Sequence, residues 1–494
     1  MTHTQPLYCD KVVRQFAVMA VVWGLVGMAI GVWLAAELAF PTINIDIPWL
    51  SFGRLRPLHT HLVIFAFGGC ALFATSYHVA QSTGKVCLAN QGLANFTFWG
   101  WQIVSILALI TLPLGMSSGK EYAEAEWPID VLTTLVWLAY AVVFFKTLAR
   151  RETLELYVAN WFYGAAILAF LVLHLFNNFA IPISFWPMKS YSFYPGAVDA
   201  LTEGWYTHSL MGLFLTGGFL GTLYYFLPKG VDRPIYSYRL AQSHFWAMIF
   251  LIPWIGPQHL LHSALPDWVQ SLGMVFALLL LVPFWGGVLN GFLTLSGSWP
   301  EVRKNPALRF MAVGLSFYAF STLEGPLLAV KTINASSHYT DWTVAHAHAG
   351  AMGSFFFLII GALYTLIPSL FRQEKMYSSR LITVHFWLTL VGIMLHLMSL
   401  WSAGIMQSRM WYAMTSEGLL RYTFLDSVHA VQGFYWLGTV GGLMSLLGMC
   451  LMAYNVRRTA KPCVRSESPK SSHGTHAVHT KHSTEAHAEA HAGH

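Results

Sequence analysis

Runs of about 20 apolar residues with few or no charges recur from near residue 14 to near residue 455, long enough for an α-helix to cross the hydrocarbon core of a bilayer. Hydrocarbon offers backbone donors and acceptors no water, so each such run must satisfy them within a helix. About twelve runs fit. They fall near 14–40, 57–82, 92–116, 130–150, 157–183, 201–228, 240–263, 268–293, 306–332, 342–370, 381–405 and 427–455, with ends placed to about four residues. Only 10% of the 494 residues are charged, which excludes an ordinary soluble enzyme. The expectation is an all-α polytopic membrane protein with one membrane domain over 1–456. The first span is long enough to be retained as a helix and does not read as a cleaved signal.

From 457 to 494 the composition turns to Ser, Lys, Ala and Glu with seven histidines between His473 and His494, too polar to build a core. This segment reads as a disordered tail, with weak metal capture and a merely solvated role both open. Positive charge sets the orientation. Lys146, Arg150 and Arg151, then Lys229, Arg233 and Arg239, then Arg303, Lys304 and Arg309, then Arg372, Lys375 and Arg380 all lie between even-numbered spans and the next odd one. Those loops, and with them both termini, are expected on the cytoplasmic side of a bacterial-type inner membrane. The opposite loop at 117–129 carries Glu121, Glu124 and Glu126.

A histidine within a membrane helix is costly unless it is paired or ligates something. Depth separates the candidates, because a cofactor shared among helices needs ligands at one height. His59 in the first turn of the second span, His208 in the sixth, His259 near the end of the seventh, and His346 and His348 near the start of the tenth share one layer toward the outer face. Residues two apart on a helix differ by about 200°, so His346 and His348 face opposite ways and cannot hold one metal. Two cofactors flanking the tenth span fit this: a six-coordinate electron-transfer heme completed by His59, and an open five-coordinate heme that binds a ligand. His61 lies about 200° around from His59 and does not join it on one iron. His174, His244, His385, His396 and His429 have no partners at that height and read as structural. The five cysteines form no CxxC or CxxCH motif, so any c-type heme sits on another subunit.

The segments GRLRPLHTHLVIFAFGGCALFATSYHV, KEYAEAEWPID, YFLPKGVDRPIYSYRL, ALPDWVQSLGMVF, WGGVLNGFLTLSGSW, STLEGPLLAVKTIN and SHYTDWTVAHAHAG closely resemble the catalytic subunit of cbb3-type cytochrome c oxidases. The resemblance covers all the spans and implies a heme-copper oxidase subunit I fold of twelve helices holding a low-spin heme b, a high-spin heme b and copper B. It implies that His59 and His348 are the axial ligands of the low-spin heme and that His346 is the proximal ligand of the high-spin heme. Arg56 resembles the family's propionate partner. Glu324 is similar to the glutamate that bonds the other ring nitrogen of the proximal histidine. Glu121 resembles a residue near the family's calcium site, with a solvated acidic loop as the alternative.

Two positions depart from that pattern. The family holds copper B with a histidine on the sixth helix, matched here by His208, and an adjacent pair on the seventh; here that pair is Gln258 and His259. An amide oxygen is a poor ligand for Cu(I) but suits a harder ion such as Fe(II). The family's cross-linked tyrosine is replaced by Ile252, followed by Pro253, and a serine on its proton path by Ala241. His262, four residues after Gln258 on a similar face but about 6 Å further along the axis, replaces the missing ligand only if Pro253 or Pro257 unwinds the helix end. Three functions compete: an oxidase-like core reducing dioxygen, a nitric oxide reductase with copper or non-heme iron beside the heme, and a non-catalytic diheme electron-transfer or sensor protein. The first is the leading expectation and the second the runner-up. The resemblance further implies other membrane subunits and an electron donor on the outer side, either a heme c-containing subunit or cytochrome c. No nucleic-acid partner is expected.

Overall fold

The computed structural model describes residues 8–461. Twelve principal helices follow the predicted order: α1 (Asp10–Ala39), α2 (Phe52–Gly84), α3 (Gln91–Thr111), α4 (Trp127–Ala149), α5 (Val158–Asn177), α6 (Gly196–Gly230), α7 (Tyr238–Leu251), α8 (Asp267–Leu295), α9 (Pro306–Ala329), α10 (Asp341–Leu370), α11 (Ser379–Trp411) and α12 (Phe424–Thr459). Ten are long and apolar enough to cross a membrane, and α9 makes eleven when joined to the short helix Lys331–Ser337 that follows it after a 100° bend. The exception is α7, expected to run to residue 263. Its α-helix stops at Leu251 and continues as the 3₁₀ turns Ile252–Trp254 and Gly256–Leu260, because Pro253 and Pro257 each remove a backbone donor.

Other boundaries also moved. The fifth span ends at Asn177, not 183, and an antiparallel hairpin of β1 (Ala180–Ser184) and β2 (Lys189–Ser192) follows, so the fold is not purely helical. The helices α2 and α6 begin five residues earlier than expected because their polar first turns stay helical beyond the apolar run. His59 is therefore two turns inside its helix rather than in the first. Of the expected tail, only 457–461 is described, and α12 continues to Thr459; the histidines from His473 onward lie outside the described residues.

The layout is a threefold internal repeat of four helices. The second helix of each unit is central: 89%, 78% and 78% of the apolar windows of α2, α6 and α10 are buried, against 33–61% for the other spans. Each of the three also contains a wide π-helical stretch, over Leu62–Gly69, Leu210–Thr216 and Ala349–Phe356. Eight residues beyond each stretch stands a buried tyrosine, Tyr77, Tyr224 and Tyr364. The third helices start alike, capped by Asn90, Ser237 and Ser378, whose side chains accept from Leu93, Leu240 and Leu381. Just ahead of each cap, the amide of Ala89, Tyr236 or Tyr377 donates to Thr147, Thr294 or Thr459 near the end of the unit's fourth helix, at 3.0–3.1 Å. A polar tie recurring at one depth is economical, since it satisfies backbone groups where the chain turns back.

Candidate functional site

The π stretches follow directly on the histidines singled out above. A wide turn rotates the following residues relative to the preceding ones, and such turns concentrate at functional sites. Here they separate the histidine end of each central helix from its packed lower half.

His59 points its Nδ1 at the carbonyl oxygen of Gly27 on α1, 2.9 Å away. A carbonyl only accepts, so Nδ1 carries the proton and Nε2 keeps its lone pair, the tautomer a metal requires. Gly31, one turn further along α1, is needed for this: a Cβ there would lie 2.5 Å from His59 Cε1. His348 is set the same way, with Nδ1 donating to the Val344 carbonyl at 2.9 Å. His396, read from sequence as structural, packs edge-on against His348 at 5.0 Å between ring centres and is itself held by the Gly438 carbonyl.

His346 turns the other way on α10. Its Nδ1 lies 3.1 Å from Glu324 Oε2 on α9. The second carboxylate oxygen, Oε1, accepts the indole N–H of Trp342 at 3.0 Å and of Trp401 at 2.9 Å. Neither tryptophan was singled out from sequence. Trp342 carried a signal, since it precedes His346 by four residues and shares its face; Trp401 is 77 positions from Glu324 and carried none.

His208 Nδ1 is 3.1 Å from His259 Nε2 and 3.1 Å from the Gln258 amide nitrogen. Two nitrogens bound tetrahedrally to one ion at about 2.0–2.1 Å stand about 3.3–3.4 Å apart, so this spacing lies within a few tenths of an ångström of ligands sharing a metal. The Gln258 Oε1 atom is buried without a partner, and a half-turn of the amide would present it to the same point. The residues thus fit a metal with two imidazoles and an amide oxygen. Among the described residues no group of three or more His, Cys, Asp or Glu side chains is placed to hold a metal, so the third donor available here is the amide.

The unwound end of α7 makes this set possible. It is wedged between α6, where Gly256 meets the backbone of Trp205, and α8, where a Cβ on Gly273 would come within 2.5 Å of the Gln258 nitrogen. His262 does not enter the cluster. Its Nε2 is 3.1 Å from the Lys331 carbonyl and its backbone N–H donates to Gln270, so the chain turns it away despite the unwinding. Ile252 is fully buried against Gly212, one turn beyond His208 on α6.

At the same end Arg56 pairs with Glu121 at 3.1 Å, both about half exposed, and the Glu121 amide donates to Glu203 Oε1 at 2.8 Å. Burial pushes the neighbouring Glu124 carboxyl up to about 7. Three of the other histidines find local partners: His174 on the Asp130 carbonyl, His244 between Tyr224 and Tyr318, and His385 on Tyr364. His61 is buried with Nε2 unpartnered.

The model for the family described as cytochrome C and quinol oxidase polypeptide I matches residues 11–444. The chain is 56% identical, over 93% of its length and 98% of the relative's, to the Cbb3-type cytochrome c oxidase subunit CcoN1 of Stutzerimonas stutzeri. It is 48% identical to a cytochrome c oxidase subunit 1 homolog of Agrobacterium tumefaciens, over 92% of this chain and 84% of the relative. A heme-copper terminal oxidase dimer solved by cryo-EM shares the fold, with a TM-score of 0.75 at 15% identity, covering 93% of this chain and 85% of the other.

Proposed function

Because the chain belongs to the cytochrome c and quinol oxidase polypeptide I family, as a homologue of the cbb3-type subunits, we propose that it is the core of a membrane oxidoreductase that delivers electrons to a small gas. His59 and His348 hold a low-spin heme b, His346 a high-spin heme b, and His208, His259 and Gln258 a copper or non-heme iron ion. When bound, these groups carry the electrons and bind the gas. The observation that carries the reading is the divided use of α10: His346 turns its Nδ1 to Glu324 on α9 at 3.1 Å, while His348, two positions on, packs against His396 on α11 with its Nδ1 on the Val344 carbonyl.

The chain's own residues set the chemistry around those groups. The Gly27 and Val344 carbonyls fix the tautomers of His59 and His348 so that each would offer its Nε2 to iron. Glu324 takes a hydrogen bond from His346 Nδ1 and makes that imidazole more basic, which lowers the heme potential. Arg56, paired with Glu121, would hold heme propionates through its guanidinium, and Glu121 with Glu203 would supply carboxylates to a calcium ion. The basic loops face the cytoplasm and the histidine end faces outward, where a heme c-containing subunit or cytochrome c supplies electrons.

Ile252 and Gln258 favour nitric oxide over dioxygen as the gas turned over efficiently. Cleaving dioxygen in one step takes four electrons, and the isoleucine packed on Gly212 supplies neither an electron nor a proton. Reduction of nitric oxide takes two electrons per pair of molecules and needs no phenol there. Turnover by the purified complex with reduced cytochrome c, under each gas, tests this: faster consumption of nitric oxide supports it, and dioxygen reduction at a rate typical of oxidases contradicts it.

A further inference from the structure

The carboxylate that partners His346 is itself held by two indoles, and their placement follows from the way three helices meet. Glu324 reaches from α9 to His346 on α10 with one oxygen, leaving Oε1 to Trp342 and Trp401. Trp342 stands one turn before His346 on the same face of α10, so its N–H and the imidazole address the carboxylate together. Trp401 comes from α11, and a small residue brings it there: a Cβ on Gly404 would lie 2.2 Å from the Trp342 nitrogen, so α11 closes directly on the start of α10. Phe320, one turn before Glu324, meets the Trp401 ring edge-on at 5.1 Å between centres and orients it. Glu324 is 7% exposed, so water does not compete for these bonds.

A carboxylate that receives two charge-assisted hydrogen bonds on one oxygen is a weaker base at the other. We propose that Trp342 and Trp401 are positioning residues that limit how strongly Glu324 draws the Nδ1 proton of His346, and thereby set the strength of the iron–histidine bond and the potential of the gas-binding heme. This rests on the reading of His346 as that heme's ligand. The tryptophans act on the heme through Glu324 and need not touch it. Phenylalanine keeps an aromatic ring on the same stem and removes the N–H with the smaller half of the indole, so each substitution deletes one bond while an apolar ring still fills most of the space beside Phe320 or α11.

The test is resonance Raman of the ferrous high-spin heme in the intact, heme-loaded complex, with Trp401→Phe, Trp342→Phe and Glu324→Gln compared with the parent, together with a redox titration. Freed of one donor, Glu324 becomes the stronger acceptor: either tryptophan variant shifts the iron–histidine stretch up and the heme potential down. Glu324→Gln shifts both the opposite way. A purely structural role for the indoles gives tryptophan variants that move in the same direction as Glu324→Gln or do not move, which overturns the proposal. Two separate tryptophan variants keep the test available if one fails to assemble. A parent protein without an iron–histidine band would instead overturn the assignment of His346, so the two failures are distinguishable.

Discussion

Gly31→Ala is the smallest change that should remove one cofactor and spare the other. The added methyl would stand 2.5 Å from His59 Cε1 and 2.9 Å from Nδ1, where carbon atoms in contact prefer about 3.5–4.0 Å. The ring must retreat from α1 by about 1 Å. Gly27, whose carbonyl holds His59 Nδ1 at 2.9 Å, is on the same helix one turn earlier, so the retreat stretches that bond beyond hydrogen-bonding range. Overpacking costs about 1–3 kcal/mol and the lost bond about 1 kcal/mol. A total of roughly 2–4 kcal/mol lowers the occupancy of the ligating geometry by about 30-fold to several hundredfold. The assay is heme content by pyridine hemochrome, with reduced-minus-oxidised spectra for the six-coordinate heme and carbon monoxide difference spectra for the five-coordinate one. The six-coordinate signal should fall while carbon monoxide binding persists. Gly53→Ala, where a Cβ meets nothing within 4 Å, is the control. A full six-coordinate signal in Gly31→Ala would refute the placement of His59.

Gln258→His supplies a third imidazole beside His208 and His259, so the variant should hold one copper per pair of hemes by elemental analysis whichever ion the parent carries; a ratio well below one would show that position 258 does not face the metal. Glu124 should make stability depend on pH. Burial raises its carboxyl to about 7 in the folded chain, above about 4.3 when unfolded, so the folded state holds the extra proton and stability falls as pH rises through that interval. Glu124→Gln removes a penalty of up to about 3 kcal/mol above pH 7 and should melt higher than the parent at pH 8, with the gap closing near pH 4; a gap independent of pH would contradict this.

Hydropathy located the helices because membrane solvent imposes one local rule on every span. Where the rule does not apply, sequence said less. The start of the hairpin, 180–183, was absorbed into the fifth span because its residues are largely apolar, and the rest was left as a connection. The end of α7 was drawn as helix, although Pro253 and Pro257 marked where it unwinds. Helix spacing told His346 from His348 by angle, but it put His59 in a first turn when it stands two turns in, and it did not apply to His259, which lies in a 3₁₀ turn. Trp401, Gly404 and Gly31 were not legible, because their roles depend on which helix lies beside them, and one chain read alone carries no record of that. The family resemblance supplied Glu324 and Arg56, and the geometry then gave Glu324 the indole partners that no spacing announced.

The most direct measurement is the heme b and transition-metal content of the purified complex with the histidine-rich tail removed. The account expects two hemes b, one six-coordinate and one that binds carbon monoxide, with one further copper or iron ion per chain, lost on substitution of His208 or His259. Two hemes with no third metal would contradict gas reduction at this site and leave a diheme electron-transfer protein.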